Sequence, residues 1–206
     1  MLTDILFVVG AYLFGSVPVL FWIGKLKGFD LRQDADMHLA LWRKVGYKEG
    51  LAGILWDLFK GPVPPVTAWL LDFDIIIVAL SGLAVVAGQM WPIFLCFQNG
   101  EKGNTTGIGA SFGIAPLAMG IAAIPIAIGA LMRAMPALQK NSKKDTDTFK
   151  FSGVSNSMPM GMLIGFTLLP IIAWYLNMDP VIVWAFVGLY AMIIFRRLTA
   201  DLTGEL

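Results

Sequence analysis

Residues 75–97 read IIIVALSGLAVVAGQMWPIFLCF, twenty-three positions without a charged side chain. A helix needs roughly 20 apolar residues to cross the ~30 Å hydrocarbon core of a bilayer, and this run supplies them. It shows none of the apolar/polar alternation of a barrel strand, and unpaired backbone groups are too costly in lipid for any other open structure. The run reads as a membrane helix, and its neighbours follow the same pattern.

Working outward, residues 2–24 and 51–71 are comparable apolar runs, the latter carrying Asp57 and Lys60. Residues 106–135 are too long for one helix. Pro116 and the glycines at 107, 109 and 113 divide them into a short segment ending near Ile114 and a second from Pro116 to Met135. Residues 153–176 and 180–195 complete the set. The expected fold is all-α: a polytopic membrane helix bundle of seven transmembrane segments, the fourth short, forming one domain over 1–206. Composition agrees. Hydrophobic residues make up 57% and charged residues 14%, against about 25% charged in soluble domains, and the mean hydropathy is +0.74. Asp4 is the only early charge and no basic stretch precedes the first run, so that run reads as a helix rather than a cleavable leader.

The basic residues fix an orientation. Lys25, Lys27, Arg32, Arg43, Lys44 and Lys48 lie in the first connection, with Lys60 at the near end of the second segment. Lys102 is in the third connection, Arg133, Lys140, Lys143, Lys144 and Lys150 are at or in the fifth, and Arg196 and Arg197 begin the tail. The alternate connections carry Asp72, Asp74 and Asp179 and no Lys or Arg. By the positive-inside rule the N-terminus is outside and the C-terminus cytoplasmic. The cytoplasmic connections are then about 25–50, 98–105 and 136–152, with the tail 196–206. The expected location is the cell membrane, multi-pass, with membrane lipids as partners and no nucleic acid. One cysteine, Cys96, excludes a disulfide framework. With His38 the single histidine, a Cys/His zinc site lacks ligands, and no metal or cofactor is expected.

Four places could carry chemistry. The third connection contains NGEKGNTTG, residues 99–107. Its glycines let backbone amides approach an anion, a following helix start offers free N–H groups, and Lys102, Thr105 and Thr106 add a charge and two hydroxyls. The same residues fit a tight turn with a threonine N-cap. Asp57 and Lys60 are three apart on one helical face, and ionisable groups at membrane depth pair and face the bundle interior. Lys60 either lines an anion pocket or closes a structural ion pair. In the first connection Met37, Leu39, Leu41 and Trp42 alternate with His38, Arg43 and Lys44, as in a segment lying at the membrane surface. There His38 is the one side chain suited to acid–base work near neutrality. Ser152, Ser155 and Ser157 open the sixth segment as helix caps or anion contacts.

Taken together, these stretches resemble the bacterial acyl-phosphate:glycerol-3-phosphate acyltransferases of the PlsY type. The first segment with Gly15-Ser16-Val17-Pro18 and Gly28-Phe29-Asp30-Leu31-Arg32 is similar to that family's opening helix. Residues 50–61, with Asp57, Lys60 and Gly61, resemble its second. Gly88, Pro92, Phe94, Phe97, Gly100, Lys102, Gly103 and Thr106 match its motif G-H-x-x-P-x-F-x-x-F-x-G-G-K-G-x-A-T, and RRLTADLTGE is similar to its basic tail. The resemblance implies a bacterial inner-membrane enzyme of phospholipid synthesis, moving an acyl group from acyl phosphate to the 1-hydroxyl of glycerol 3-phosphate without a metal. It implies that Gly100, Lys102, Gly103 and Thr106 cradle a phosphate, that Arg43 binds phosphate, that Lys60 adds positive field and that Ser155 lies near the site.

This sequence departs from the family at several positions. DADMHLAL stands where the family has S-G-N-x-G-A-T-N. Gln89 occupies the motif histidine's position, Glu101 is an additional acid in the loop, and Ala191, Met192 and Ile194 replace H-R-x-N near the tail. Two readings follow. One is an acyltransferase with a site rebuilt around Asp36, His38 and Arg43, in which His38 and Arg43 act in catalysis. The other is a catalytically inactive relative serving as a lipid-binding or structural subunit among partner membrane subunits. A small transporter is a third, for which few intramembrane charges speak.

Overall fold

The computed structural model describes residues 1–31, 37–98, 100–139 and 157–203. All regular structure among them is helical. The first apolar run forms α1 (Leu2–Gly15) and α2 (Val19–Leu26). They are broken at Pro18, which has no N–H to continue the ladder. Gly28, at φ +85°, ends α2: the Gly28 amide bonds the Lys25 carbonyl at 3.1 Å and the Phe29 amide the Gly24 carbonyl at 2.9 Å, a Schellman closure that only a left-handed residue permits. The first connection folds into α3 (Met37–Ala40) and a π-helical turn over Leu41–Val45.

The second run is α4 (Tyr47–Lys60) and α5 (Val63–Leu70), separated at Gly61-Pro62. Helix α6 spans Ile75–Met90, and a single 3₁₀ turn, Ile93–Leu95, follows. Helix α7 (Asn104–Ile114) has eleven residues. At 1.5 Å per residue it is ~16 Å long, half a bilayer core. Ala115 leaves the helical region, and α8 (Pro116–Gln139) opens with proline, where the missing donor costs nothing. Helices α9 (Ser157–Tyr175) and α10 (Pro180–Thr203) complete the bundle. The runs 2–26, 75–95 and 180–199 are long and apolar enough to cross a membrane, with shorter apolar helices at 116–132 and 160–175.

Small residues draw the helices together, as expected where lipid supplies no hydrophobic drive between them. Gly15 lies on the Val85 carbonyl and Gly88 on the Tyr12 carbonyl, seating α1 on α6; Tyr12 Oη then donates to the Trp91 carbonyl at 2.6 Å. Gly61 and Gly109 press α4 against α7. Gly161 and Gly165 lie on α8 backbone at Pro125 and Ala122. The main core joins Val85, Val86, Met90, Met119, Phe166 and Phe186. A second, smaller cluster of Leu20, Leu31, Met37, Ala40 and Leu41 lies over one end. Large apolar side chains such as Leu117, Leu131 and Trp184 point outward, as a lipid-facing surface requires. The protein is an integral membrane helical bundle.

Candidate functional site

The second cluster positions the site. Met37, Ala40 and Leu41 are buried against Leu20 and Leu31, so the segment that reads as a surface-lying strip instead folds inward over α4. That turns His38 toward the bundle. Its Nε2 lies 2.8 Å from Glu101 Oε2 and 3.0 Å from Asp57 Oδ2. Gln89, in the last turn of α6, donates through Nε2 to the same two oxygens, at 2.6 Å to Asp57 and 3.0 Å to Glu101. Lys60 Nζ closes the set at 2.8 Å from Asp57 Oδ1. Three side chains, His38, Lys60 and Gln89, thus surround two carboxylates, one of which, Asp57, is fully buried.

The loop before α7 brings Glu101 there. Cys96 and Phe97 take left-handed backbone at φ +53° and +62°, a strained pair that turns the chain back beneath α6. The Glu101 amide then reaches the Gln89 carbonyl at 3.2 Å. Arg196 on α10 donates from a terminal guanidinium nitrogen to the Gly100 carbonyl at 2.6 Å, and Gly100 itself lies on the Met90 carbonyl with no room for a Cβ. Gly103 at φ +71° is the N-cap of α7, and no side chain caps the helix, so its first N–H groups carry the positive end of the helix dipole. Lys102, half-buried beside that helix start, forms no ion pair with any described residue.

Electrostatically the cluster is balanced. Burial opposes charge on His38, but the field of Glu101 and the hydrogen bonds and charge of Asp57 outweigh it and hold the imidazole well above its ordinary value. Burial lifts the Glu101 carboxyl above its ordinary value, Asp57 adding to the lift and His38 opposing it. His38 and Lys60 are the cationic partners of the two acids. The donor atoms of His38, Asp57 and Glu101 lie within 4.8 Å of one another, a spacing a cation could bridge. Lys60 and the imidazolium already satisfy those carboxylates, so the arrangement is a hydrogen-bonded ion network rather than a ligand set. His38 Nδ1 and Gln89 Oε1 are buried without a partner among the described residues. Beside Gln89 is a cleft of about 20 Å³ lined also by Ser16, Lys60, Gly100 and Glu101, the size of one water.

Of the residues expected from sequence, His38 and Lys60 meet through Asp57, the latter in the structural ion pair rather than free to bind an anion. Gly100, Lys102 and Gly103 form the loop in front of α7. Thr106 is neither a cap nor exposed to a ligand: it is buried in the helix and its hydroxyl donates to the Asp57 carbonyl at 3.0 Å. Arg43 is exposed on the π-helical turn and does not line the cleft. Asp36, Arg32, Ser155 and the basic residues from 140 to 150 lie outside the described residues. The sequence reading assigned neither Glu101 nor Gln89 to the site. It took Glu101 only as an additional acid in the loop, whereas its carboxylate is bonded to His38 and Gln89. The one usable signal was a single histidine and an additional acid, each needing a partner in an apolar chain.

A helical membrane protein with a buried charge network under a glycine–lysine loop is the class this geometry defines. Comparison with known proteins narrows it. The family model described as glycerol-3-phosphate acyltransferase matches residues 5–203. The chain is 36% identical over 122 residues to the glycerol-3-phosphate acyltransferase of Geobacter metallireducens, an alignment covering 58% of this chain and only 62% of that protein. It is 36% identical over 137 residues to that of Trichlorobacter lovleyi, covering 65% and 70%. It is 28% identical over 199 residues to glycerol-3-phosphate acyltransferase 4 of Dehalococcoides mccartyi, covering 92% and 75%. In fold it matches the crystal structure of PlsY (YgiH), an integral membrane glycerol 3-phosphate acyltransferase, in its glycerol 3-phosphate form, with a TM-score of 0.71 at 24% identity over 98% of this chain and 94% of that one. The lysophosphatidic acid form of the same protein gives 0.70 at 23%. The chain belongs to the glycerol-3-phosphate acyltransferase family.

Proposed function

We propose that this protein transfers an acyl group from acyl phosphate to glycerol 3-phosphate at the cytoplasmic face of a bacterial inner membrane, in phospholipid synthesis. The observation that carries the reading is the network His38–Asp57–Glu101–Gln89. Where this sequence departs from the family's motifs, the interior has not decayed to apolar packing; it holds a paired set of ionisable groups behind the loop. Buried ion networks are a poor way to gain stability, and perturbed groups concentrate at functional sites. A scaffold kept only as a subunit has no need of one.

In this reading Lys102, the Gly100 and Gly103 backbone and the α7 N-terminus hold an anionic phosphate, with Arg43 of the first connection and Ser155 as further phosphate contacts. His38 acts beside the reacting groups, and Lys60 adds positive field through the cleft. The reaction forms an ester C–O bond at the glycerol 1-hydroxyl and breaks the acyl–phosphate C–O bond. The hydroxyl proton leaves on the released phosphate, so charge and protons balance without a cofactor. The donors around the loop stabilise the charge that develops on phosphate and carbonyl oxygen.

The test is direct. Purified protein given acyl phosphate and glycerol 3-phosphate yields lysophosphatidic acid, and Lys102→Ala and Arg43→Ala each lower kcat/KM at least ~100-fold, as for loss of a charge-assisted contact. A folded parent that forms no product removes the enzymatic reading.

A further inference from the structure

We propose that Glu101 is a positioning residue: through His38 it fastens the first connection to the glycine–lysine loop, and so sets where Arg43 and Lys102 stand relative to one another. This rests on the acyl-transfer reading above and adds what holds its two cationic phosphate contacts in register. Among the described residues two side chains are bonded to the carboxylate, His38 of α3 at 2.8 Å and Gln89 of α6 at 3.0 Å, both on Oε2. Asp57 has Lys60 of its own helix at 2.8 Å as well as His38. Glu101 has no second cation bonded to it among the described residues. The loop, more than α4, therefore depends on the imidazole.

Both segments that this contact joins need fastening. Helix α3 has four residues and the π-helical turn after it five, too few for a helix to stand by itself. Met37, Ala40 and Leu41 are buried against Leu20 and Leu31, and His38 adds the polar tie to the loop. Arg43 stands on the π-helical turn, five residues beyond His38. On the other side, positions 100 and 101 are gripped from three helices. Arg196 of α10 donates to the Gly100 carbonyl at 2.6 Å. Gln89 of α6 accepts the Glu101 amide at 3.2 Å and donates to its carboxylate. His38 of α3 completes the grip. Lys102 is the next residue, and Gly103, the N-cap of α7, follows it.

The fastening makes a prediction opposite in sign to that of a bare charge. A carboxylate beside Lys102 that acted only through its field would weaken an anion there, and removing it would help. A fastening carboxylate is missed when it goes, and an amide that keeps its hydrogen bonds replaces much of it. The titrating partner is His38. It faces Glu101 of the loop and Asp57 of α4, with Lys60 behind Asp57 and the neutral Gln89 on α6. The other elements against α3, helix α2 and the π-helical turn, bring Leu20 and Leu41 to it. Burial works against the imidazolium, and the Glu101 field sustains it. Glu101→Gln keeps an acceptor without that field, so His38 gives up its proton at lower pH.

The test uses the full chain in nanodiscs and reads structure and activity separately. In Glu101→Ala the backbone amides of 37–45 exchange hydrogen about tenfold faster than in the parent, and kcat/KM with acyl phosphate and glycerol 3-phosphate falls about tenfold. Glu101→Gln keeps the parent's exchange, recovers most of the kcat/KM at mildly acid pH, and moves the alkaline fall of the rate to lower pH. Unchanged exchange in Glu101→Ala, a gain in kcat/KM in both variants, or an unmoved pH profile in Glu101→Gln overturns the fastening. Should Glu101→Ala not fold, the profile of Glu101→Gln decides alone. A parent that forms no lysophosphatidic acid, with 37–45 still loosened in Glu101→Ala, removes the acyl-transfer reading and leaves the tie between the two segments standing.

Discussion

Glu101 follows Gly100 and precedes Lys102 in the loop, yet its carboxylate is bonded to His38 and Gln89. Sixty-three positions separate His38 from Glu101, and nothing in local spacing joins them; only the inward fold of Met37, Ala40 and Leu41 does. The pairing has a measurable consequence. His38 titrates above its ordinary ~6.5 when folded. Its stabilising contribution is therefore fully present below that ordinary value and is lost as pH rises through the higher folded one. Thermal unfolding in detergent should show stability declining on the alkaline side. His38→Gln should be less stable by about 1–3 kcal/mol at mildly acid pH and should lack the alkaline decline. A variant curve running parallel to the parent's at every pH would assign the decline to another group.

Helices here are shaped by where glycine and proline fall, and this much was legible before any coordinates. The division of 106–135 at Pro116 is where α7 gives way to α8, whereas the breaks at Pro18 and Gly61-Pro62 fall inside runs that read as single segments. What periodicity could not reveal is which glycines carry packing. Gly109 has the Leu58 carbonyl where a Cβ would be, whereas Gly120 has nothing within 4 Å. Gly109→Ala should cost about 1–3 kcal/mol through a forced shift of α7 from α4. Gly120→Ala should be neutral or gain up to ~1 kcal/mol from helix propensity. Equal melting temperatures for the two variants would deny that α4 and α7 are held by close backbone approach. Thr106 shows the limit of local reading differently: a threonine near a helix start suggests a cap, but one turn of register carries its hydroxyl to Asp57.

For the whole molecule, hydropathy determined most of the architecture, because bilayer thickness sets the length of every apolar run and basic residues choose a side. The site escaped that logic, since it is made of contacts between runs. The orientation remains a quantitative expectation. With Cys96 replaced by serine, a single cysteine introduced at position 179 should react with an impermeant maleimide added outside intact cells. One at position 102 should react only after permeabilisation. The reverse pattern would invert the bundle and count against the proposed cytoplasmic site at the loop.

The grip of Arg196 on the Gly100 carbonyl spans 96 positions of chain. During synthesis the ribosome delivers the loop long before it delivers α10. Until that helix inserts, the carbonyl has no guanidinium to hold it and the glycine–lysine loop has one wall missing. The loop is thus completed last: a chain lacking its final helix lacks the contact that holds Gly100, and under the acyl-transfer reading proposed above such a chain should be inactive.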